Sequence, residues 1–234
     1  MKMIFLHHST GEIIWNAGVR QWFDGYNSDN GTKHSIECRA YPGRSAYGWK
    51  NYPYDYWNLW VKHGGRRRLG GEKALRYFTR RFDVIIFKHC FPVSAIEADT
   101  GAPDIESEAK RIENYKLQYL ALREKMREHG DTTFVLWTGA ALTEKATTQP
   151  QARRARLFFD WVRGSWDEPG DNIFLWDFYG LETGGGVFMR DEYARGAADS
   201  HPNAEFAGRV APMLCRRIVD VVEGRGDCKD ITGA

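Results

Sequence analysis

Asp83-Val-Ile-Ile-Phe-Lys88 is an uninterrupted apolar run between charged ends, the pattern of a strand buried on both faces inside a parallel sheet. Its carboxyl end delivers His89, Cys90 and Phe91. Three further runs read the same way: Lys2 to Leu6, Thr132 to Trp137, and Asn172 to Phe178. Ser35 to Tyr41 is the remaining strand, ended by Pro42-Gly43.

Helical signals fall between these strands. Ser9-Thr10-Gly11-Glu12 has the spacing of a capping box, and Ile13, Ile14, Trp15, Val19, Trp22 and Phe23 follow as an amphipathic stretch. Glu72 to Phe82 reads as a short helix. Asp104 stands as the cap of a longer one, with Ile105, Ala109, Ile112, Tyr115, Tyr119, Leu122 and Met126 stepping by three and four until Gly130. Gln151 to Trp166 is a basic amphipathic helix. Asn203 caps the last, which turns Phe206, Val210, Leu214, Ile218 and Val221 inward and stops at Gly224. Strand alternating with helix predicts one α/β domain over residues 1–234, a doubly wound, flavodoxin-like three-layer α/β/α sandwich around a parallel sheet of about five strands. Residues 42–71, rich in Tyr, Trp, Gly and Arg, read as an irregular insertion.

Composition limits the partners. The 33 basic and 31 acidic side chains leave a net charge of +2, too small for a general attraction to nucleic acid or to a membrane surface. No apolar stretch approaches the roughly 20 residues of a spanning helix. The start, MKMIFLHHST, lacks a secretory hydrophobic region, which predicts a cytoplasmic protein. The four cysteines, Cys38, Cys90, Cys215 and Cys228, form no C-x-x-C pair and read as reduced thiols; no metal and no cofactor are expected.

Ligands of a doubly wound sheet bind beyond the carboxyl ends of its strands, where three reactive loops should converge. These are His7-His8-Ser9, Lys88-His89-Cys90 and Asp199-Ser200-His201. A serine becomes nucleophilic when a base takes its proton, and histidine is the usual base. Ser9 and His201 form such a candidate pair, with Asp199 to orient the imidazole and Asp177 as the alternative acid. The helix start at Ser9 supplies backbone N–H groups for a developing oxyanion. His8, Arg44, Trp49 and Phe91 are candidate substrate contacts.

Other readings of the same residues stand beside this one. Ser9 could serve as a helix cap. Cys90 could act as a nucleophile with His89 or His201, and His7 or His8 with His89 and Asp199 could hold a metal. Arg66-Arg67-Arg68 could attract an anionic substrate or polymer. The aromatic residues Trp49, Tyr52, Tyr54, Tyr56, Trp57 and Trp60 could face a ligand.

The arrangement resembles the SGNH, or GDSL-type, hydrolase superfamily, whose nucleophile follows the first strand and whose Asp and His precede the final helix. Asp199-Ser-His-Pro-Asn203 carries the likeness most strongly; Ser9 stands in His-His-Ser-Thr-Gly where the family has Gly-Asp-Ser. The family's acid lies three residues before its histidine, a position held here by Ala198. The resemblance implies an oxyanion hole built from the Ser9 amide, a glycine after strand two (Gly43 or Gly48) and an asparagine after strand three. Phe-Lys-His-Cys-Phe-Pro lacks that asparagine, leaving Lys88 or His89 as replacement donors. It implies hydrolysis of small acyl esters, such as acetyl groups on carbohydrate, without a cofactor. A ligand-binding protein that retains the fold without catalysis, or a metal-dependent hydrolase using His7 or His8 with His89 and Asp199, is the alternative.

Overall fold

A computed structural model describes residues 1–43, 47–48 and 51–234. The five expected runs form one parallel sheet. Its strands are β1 (Lys2–His7), β2 (Ser35–Ala40), β5 (Val84–Lys88), β6 (Thr133–Trp137) and β7 (Ile173–Trp176). They lie in the order β2-β1-β5-β6-β7. The two centremost runs are fully apolar for the reason the sequence suggests: Met3 to Leu6 and Val84 to Phe87 are at most 1% exposed, covered from both sides. The chain leaves β1 toward one edge and β5 toward the other, so the switch point lies between these neighbours.

One covering layer holds α1 (Ser9–Ile14), α2 (Arg20–Asn30) and α8 (Ala204–Val222). A π-helical turn at Trp15–Val19 joins the first two, and Gly18, at φ +110°, supplies the bend between them. Asn203 caps α8 as expected, its Oδ1 accepting from the Phe206 N–H at 2.9 Å, and Phe206, Val210, Leu214, Ile218 and Val221 are all buried. The helices α3 (Pro53–Tyr56), α4 (Leu75–Thr79), α5 (Ile112–Arg127) and α6 (Gln149–Trp161) come between β2 and β7 along the chain. The short α7 (Phe178–Thr183) follows β7. The result is the three-layer α/β/α arrangement.

Three expectations are corrected. The helix expected from Asp104 begins at Ile112 instead. Asp104 closes a local turn, its carboxylate accepting from the Glu106 N–H at 2.8 Å. Asn114 and Gln118 of α5 tie the preceding loop down by bonding its backbone, so side-chain hydrogen bonds outcompete a further helical turn. The stretch expected as a helix from Glu72 opens instead as a hairpin, β3 (Arg68–Leu69) with β4 (Glu72–Lys73), and α4 is shorter. Four aromatic residues of the insertion belong to the core, not to a cleft. Tyr52, Tyr56, Trp57 and Trp60 are buried, Tyr56 and Trp60 pack on Phe87, and Trp60 Nε1 donates to the Tyr41 hydroxyl at 2.7 Å.

Candidate active site

Ser9 is the first residue of α1, and His8, not Ser9, holds the cap position in extended conformation. Among the described residues the Ser9 hydroxyl caps no backbone group. It lies 3.4 Å from the thiol sulfur of Cys90, the second residue after β5. This contact bridges 81 residues of sequence and spans the switch point between β1 and β5. The close seat of α1 on the sheet depends on Gly11: a Cβ there would stand 2.5 Å from His7 Cβ, 3.0 Å from Lys88 Cδ and 3.1 Å from the Phe5 ring. His8 Nε2–H donates to the carbonyl of Pro42 at 2.7 Å, which ties the residue before Ser9 to the loop after β2.

Asp199 and His201 lie on an antiparallel ribbon absent from the sequence expectations, β8 (Ala194–Gly196) with β9 (Asp199–Pro202). Alternation along β9 sends Ser200 inward, where its hydroxyl accepts from the Thr143 N–H at 2.9 Å. Asp199 and His201 stay on the open side. Asp199 Oδ1 accepts from the His201 backbone at 3.1 Å and lies 2.6 Å from ring Nδ1, so the carboxylate fixes the ring through Nδ1. The hydrogen bonds to His201 hold the Asp199 carboxyl below the usual carboxylate range. The imidazole sits edge-to-face on Phe91, ring centres 5.0 Å apart. Ser9 therefore touches Cys90, and the next residue along the chain touches His201. Among the described residues, no hydrogen bond joins Ser9 to His201 directly.

The other candidates are placed as follows. The Gly43 N–H donates to the Glu72 carboxylate. Gly48 adopts φ +66°, while Arg44 and Trp49 lie outside the described residues. Lys88 and His89 are fully buried and do not open into a cleft. Lys88 runs beneath Gly11 and ends 5.6 Å from the Trp137 ring centre, its Nζ without a hydrogen-bond partner. Burial lowers its pKa. His89 is wedged between the rings of Tyr56, at 4.8 Å, and Tyr119, at 5.6 Å. Burial, then the Lys88 charge, pushes it down to about 3. The same two causes bring His7 down to about 4. Asp177 is committed elsewhere, bonded to Arg163 at 2.6 Å and Thr138 at 2.7 Å, and it caps α7. Among the described residues no group of three or more His, Cys, Asp or Glu side chains stands together to hold a metal ion.

A cavity of about 520 Å³ opens between α1 and the start of α8, lined by Ile13, Asn16, Arg195, Pro202, Asn203 and Ala207. It adjoins both candidate loops, since Ile13 is one helical turn beyond Ser9 and Pro202 follows His201, and its size suits a small organic ligand. Another cavity, about 390 Å³, lies by the ends of α4 and α5, lined by Arg76, Arg80, Lys125, Glu128 and His129; none of the candidate residues lines it. The cavity near Ser9 and the Ser9–Cys90 contact escaped the sequence reading because both are made by segments distant in the chain. The weak signal for Cys90 was its place directly after the clearest strand.

No protein-family model matches this chain, and no curated protein matches it in sequence. Among solved structures, the crystal structure of an acetyl xylan esterase, AlAXEase, is similar with a TM-score of 0.52, covering 90% of this chain and 96% of that one at 15% identity. That likeness concerns the fold. No helix among the described residues is long and apolar enough to cross a membrane.

Proposed function

We propose that this chain is an esterase that removes a small acyl group, such as acetyl, from an alcohol or sugar hydroxyl, with Ser9 as nucleophile, His201 as base and Asp199 as its orienting acid. The observation that carries the reading is the 2.6 Å bond from Asp199 to Nδ1 of His201, on a ring packed against the residue after Ser9's own partner, Cys90. An aspartate on Nδ1 leaves Nε2 as the basic nitrogen and stabilises the imidazolium that forms. The fold shared with an acetyl xylan esterase supports the same class of reaction.

In the proposed cycle the Ser9 hydroxyl turns from the Cys90 thiol to His201, loses its proton to Nε2 and attacks the acyl carbonyl carbon. The Gly11 N–H already donates to the His8 carbonyl at 2.7 Å, so in this reading the amides of Ser9 and Thr10, ahead of that bond, are the donors to the negative charge that develops on the carbonyl oxygen. Collapse breaks the ester C–O bond, and His201 returns the proton to the departing alkoxide. Water, deprotonated by His201, then attacks the acyl-serine and releases the acid. The Cys90 thiol occupies the neighbourhood where the resembling family has its asparagine; a thiol is the weaker donor, so backbone amides carry the larger share of oxyanion binding.

Hydrolysis of a chromogenic acetate ester tests this. Ser9→Ala and His201→Ala, each confirmed folded, are expected to lose at least about 10³-fold in kcat. Wild-type rates in both variants would remove the mechanism. A second reading, ligand binding without turnover, draws on the Ser9 hydroxyl's rest position against Cys90. It predicts that a panel of acyl esters is not turned over by any of the three proteins.

A further inference from the structure

The charge of this protein is balanced overall but not locally. Arg123, Arg127, Arg163 and Arg225 all sit in ion pairs of 3.3 Å or less. By contrast Arg39, Arg68, Lys73 and Arg81 gather about Tyr77 and the β3–β4 hairpin, with Arg66 and Arg67 directly before Arg68 in the chain, and among the described residues none of the six has an anionic side chain within ion-pair distance. The β3–β4 hairpin sets Arg68 directly opposite Lys73. Three of the cations converge on a single ring: Lys73 Nζ lies 5.1 Å, Arg81 4.2 Å and Arg39 5.9 Å from the centre of Tyr77. Like charges held this close repel unless an anion joins them. Consistent with that, burial and the charges of Arg39 and Arg68 lower the Lys73 pKa.

The cluster connects to the candidate active site. Glu72, the residue before Lys73, accepts the Gly43 N–H, and the adjoining Pro42 carbonyl accepts from His8, next to Ser9. Arg39 precedes Ala40, which pairs with His7 at the carboxyl end of β1. This track of hairpin cations and Arg39 is therefore tied, through Glu72 and the Pro42–Gly43 loop, to the residue beside Ser9.

We propose that this track binds the chain of an acidic polysaccharide, its uronate carboxylates paired with the guanidinium groups, and that this polymer carries the ester presented to Ser9. The proposal rests on the ester-hydrolase reading for the identity of the reacting group, though not for the binding itself. Arg forks match planar carboxylates in bidentate geometry. Single-stranded nucleic acid would require open aromatic faces for its bases, whereas the ring at the centre of the track, Tyr77, is occupied by cations.

Affinity electrophoresis in gels containing polygalacturonate, neutral dextran or duplex DNA, at two salt concentrations, tests the proposal on the intact protein. Polygalacturonate is expected to retard the wild type and dextran not. The triple variant Arg66→Ser/Arg67→Ser/Arg68→Ser, at exposed positions and with folding confirmed, should bind at least tenfold more weakly, with the salt slope reduced by about one per lost contact. Arg225→Ser, which removes a paired cation, serves as the charge control and should bind like wild type. Absence of retardation by polygalacturonate, equal binding by the triple variant, or tighter binding of DNA than of polygalacturonate would each overturn the proposal. Because the gel reads binding alone, its outcome stands whether or not Ser9→Ala abolishes ester hydrolysis.

Discussion

His89 offers a quantitative test of how the core beneath the site is built. Its ring is 0% exposed, neither nitrogen has a hydrogen-bond partner, and its pKa falls from 6.5 to about 3. A depressed folded-state pKa contributes stability that is present above pH 6.5 and is lost as pH falls, because the unfolded chain takes up the proton that the folded chain refuses. Between pH 7 and pH 5 this amounts to about 2 kcal/mol, a sizeable part of a domain's stability. Glu182, fully buried with its pKa raised by burial, works in the opposite direction, and His7 in the same one, so the total slope is a poor probe. Comparison with His89→Phe isolates the term. Phenylalanine keeps the edge-to-face contact with Tyr56, any packing change is independent of pH, and the other groups titrate in both proteins. Urea unfolding followed by tryptophan fluorescence at pH 7, 6 and 5 should show wild type losing about 2 kcal/mol more than the variant over that range. Parallel losses in the two proteins would refute the reasoning, since they would mean that His89 gains its proton equally in both states.

Gly11→Ala should destabilise by about 1–3 kcal/mol and lower ester hydrolysis, although glycine to alanine inside a helix ordinarily stabilises by about 1 kcal/mol; thermal melting reads the sign, and a raised Tm would show that α1 does not sit so tightly on His7 and Lys88. Asn203→Ala should cost about 1 kcal/mol through the lost cap of α8 and loosen the ribbon that carries His201, because the same side chain donates to the Glu192 carbonyl; denaturant midpoint and kcat together check this. Asp199→Asn should leave stability within about 0.5 kcal/mol, since the group is half exposed, yet reduce kcat by about 10²-fold or more, because the amide lacks the negative charge that stabilises the imidazolium and can donate to Nδ1, which favours the wrong His201 tautomer; unchanged kcat would assign the acid's role elsewhere.

The sheet was legible because its signal is local. A strand covered on both faces must be apolar at every position, so β1, β5, β6 and β7 announce themselves as runs of four or five residues. The cap at Asn203 and the inward face of α8 were readable for the same reason, being set by spacing within one helix. The Asp199–His201 bond was within reach too, since residues two apart on a strand share one face and can meet wherever that strand lies. Helix boundaries were less legible. The period of Ile105 and Ala109 continues that of α5, yet Asn114 and Gln118 bind the loop that contains them, and periodicity does not register such competition.

The sequence by itself thus determined the fold class, the strands and the set of loops from which a site could be drawn, all of which depend on neighbours a few residues apart. Only the tertiary structure decided which loop residues meet. Strand order brings the ends of β1 and β5 side by side and sets Ser9 on Cys90; the depth of the sheet leaves Lys88 and His89 in the core instead of the cleft. It likewise folded Tyr56 and Trp60 of the insertion inward and gathered Arg39 with Lys73 and Arg68 on one surface. The physical reason is that burial and charge are collective: whether a lysine is solvated or a ring is exposed depends on everything packed around it, and that information is not carried by its own stretch of chain.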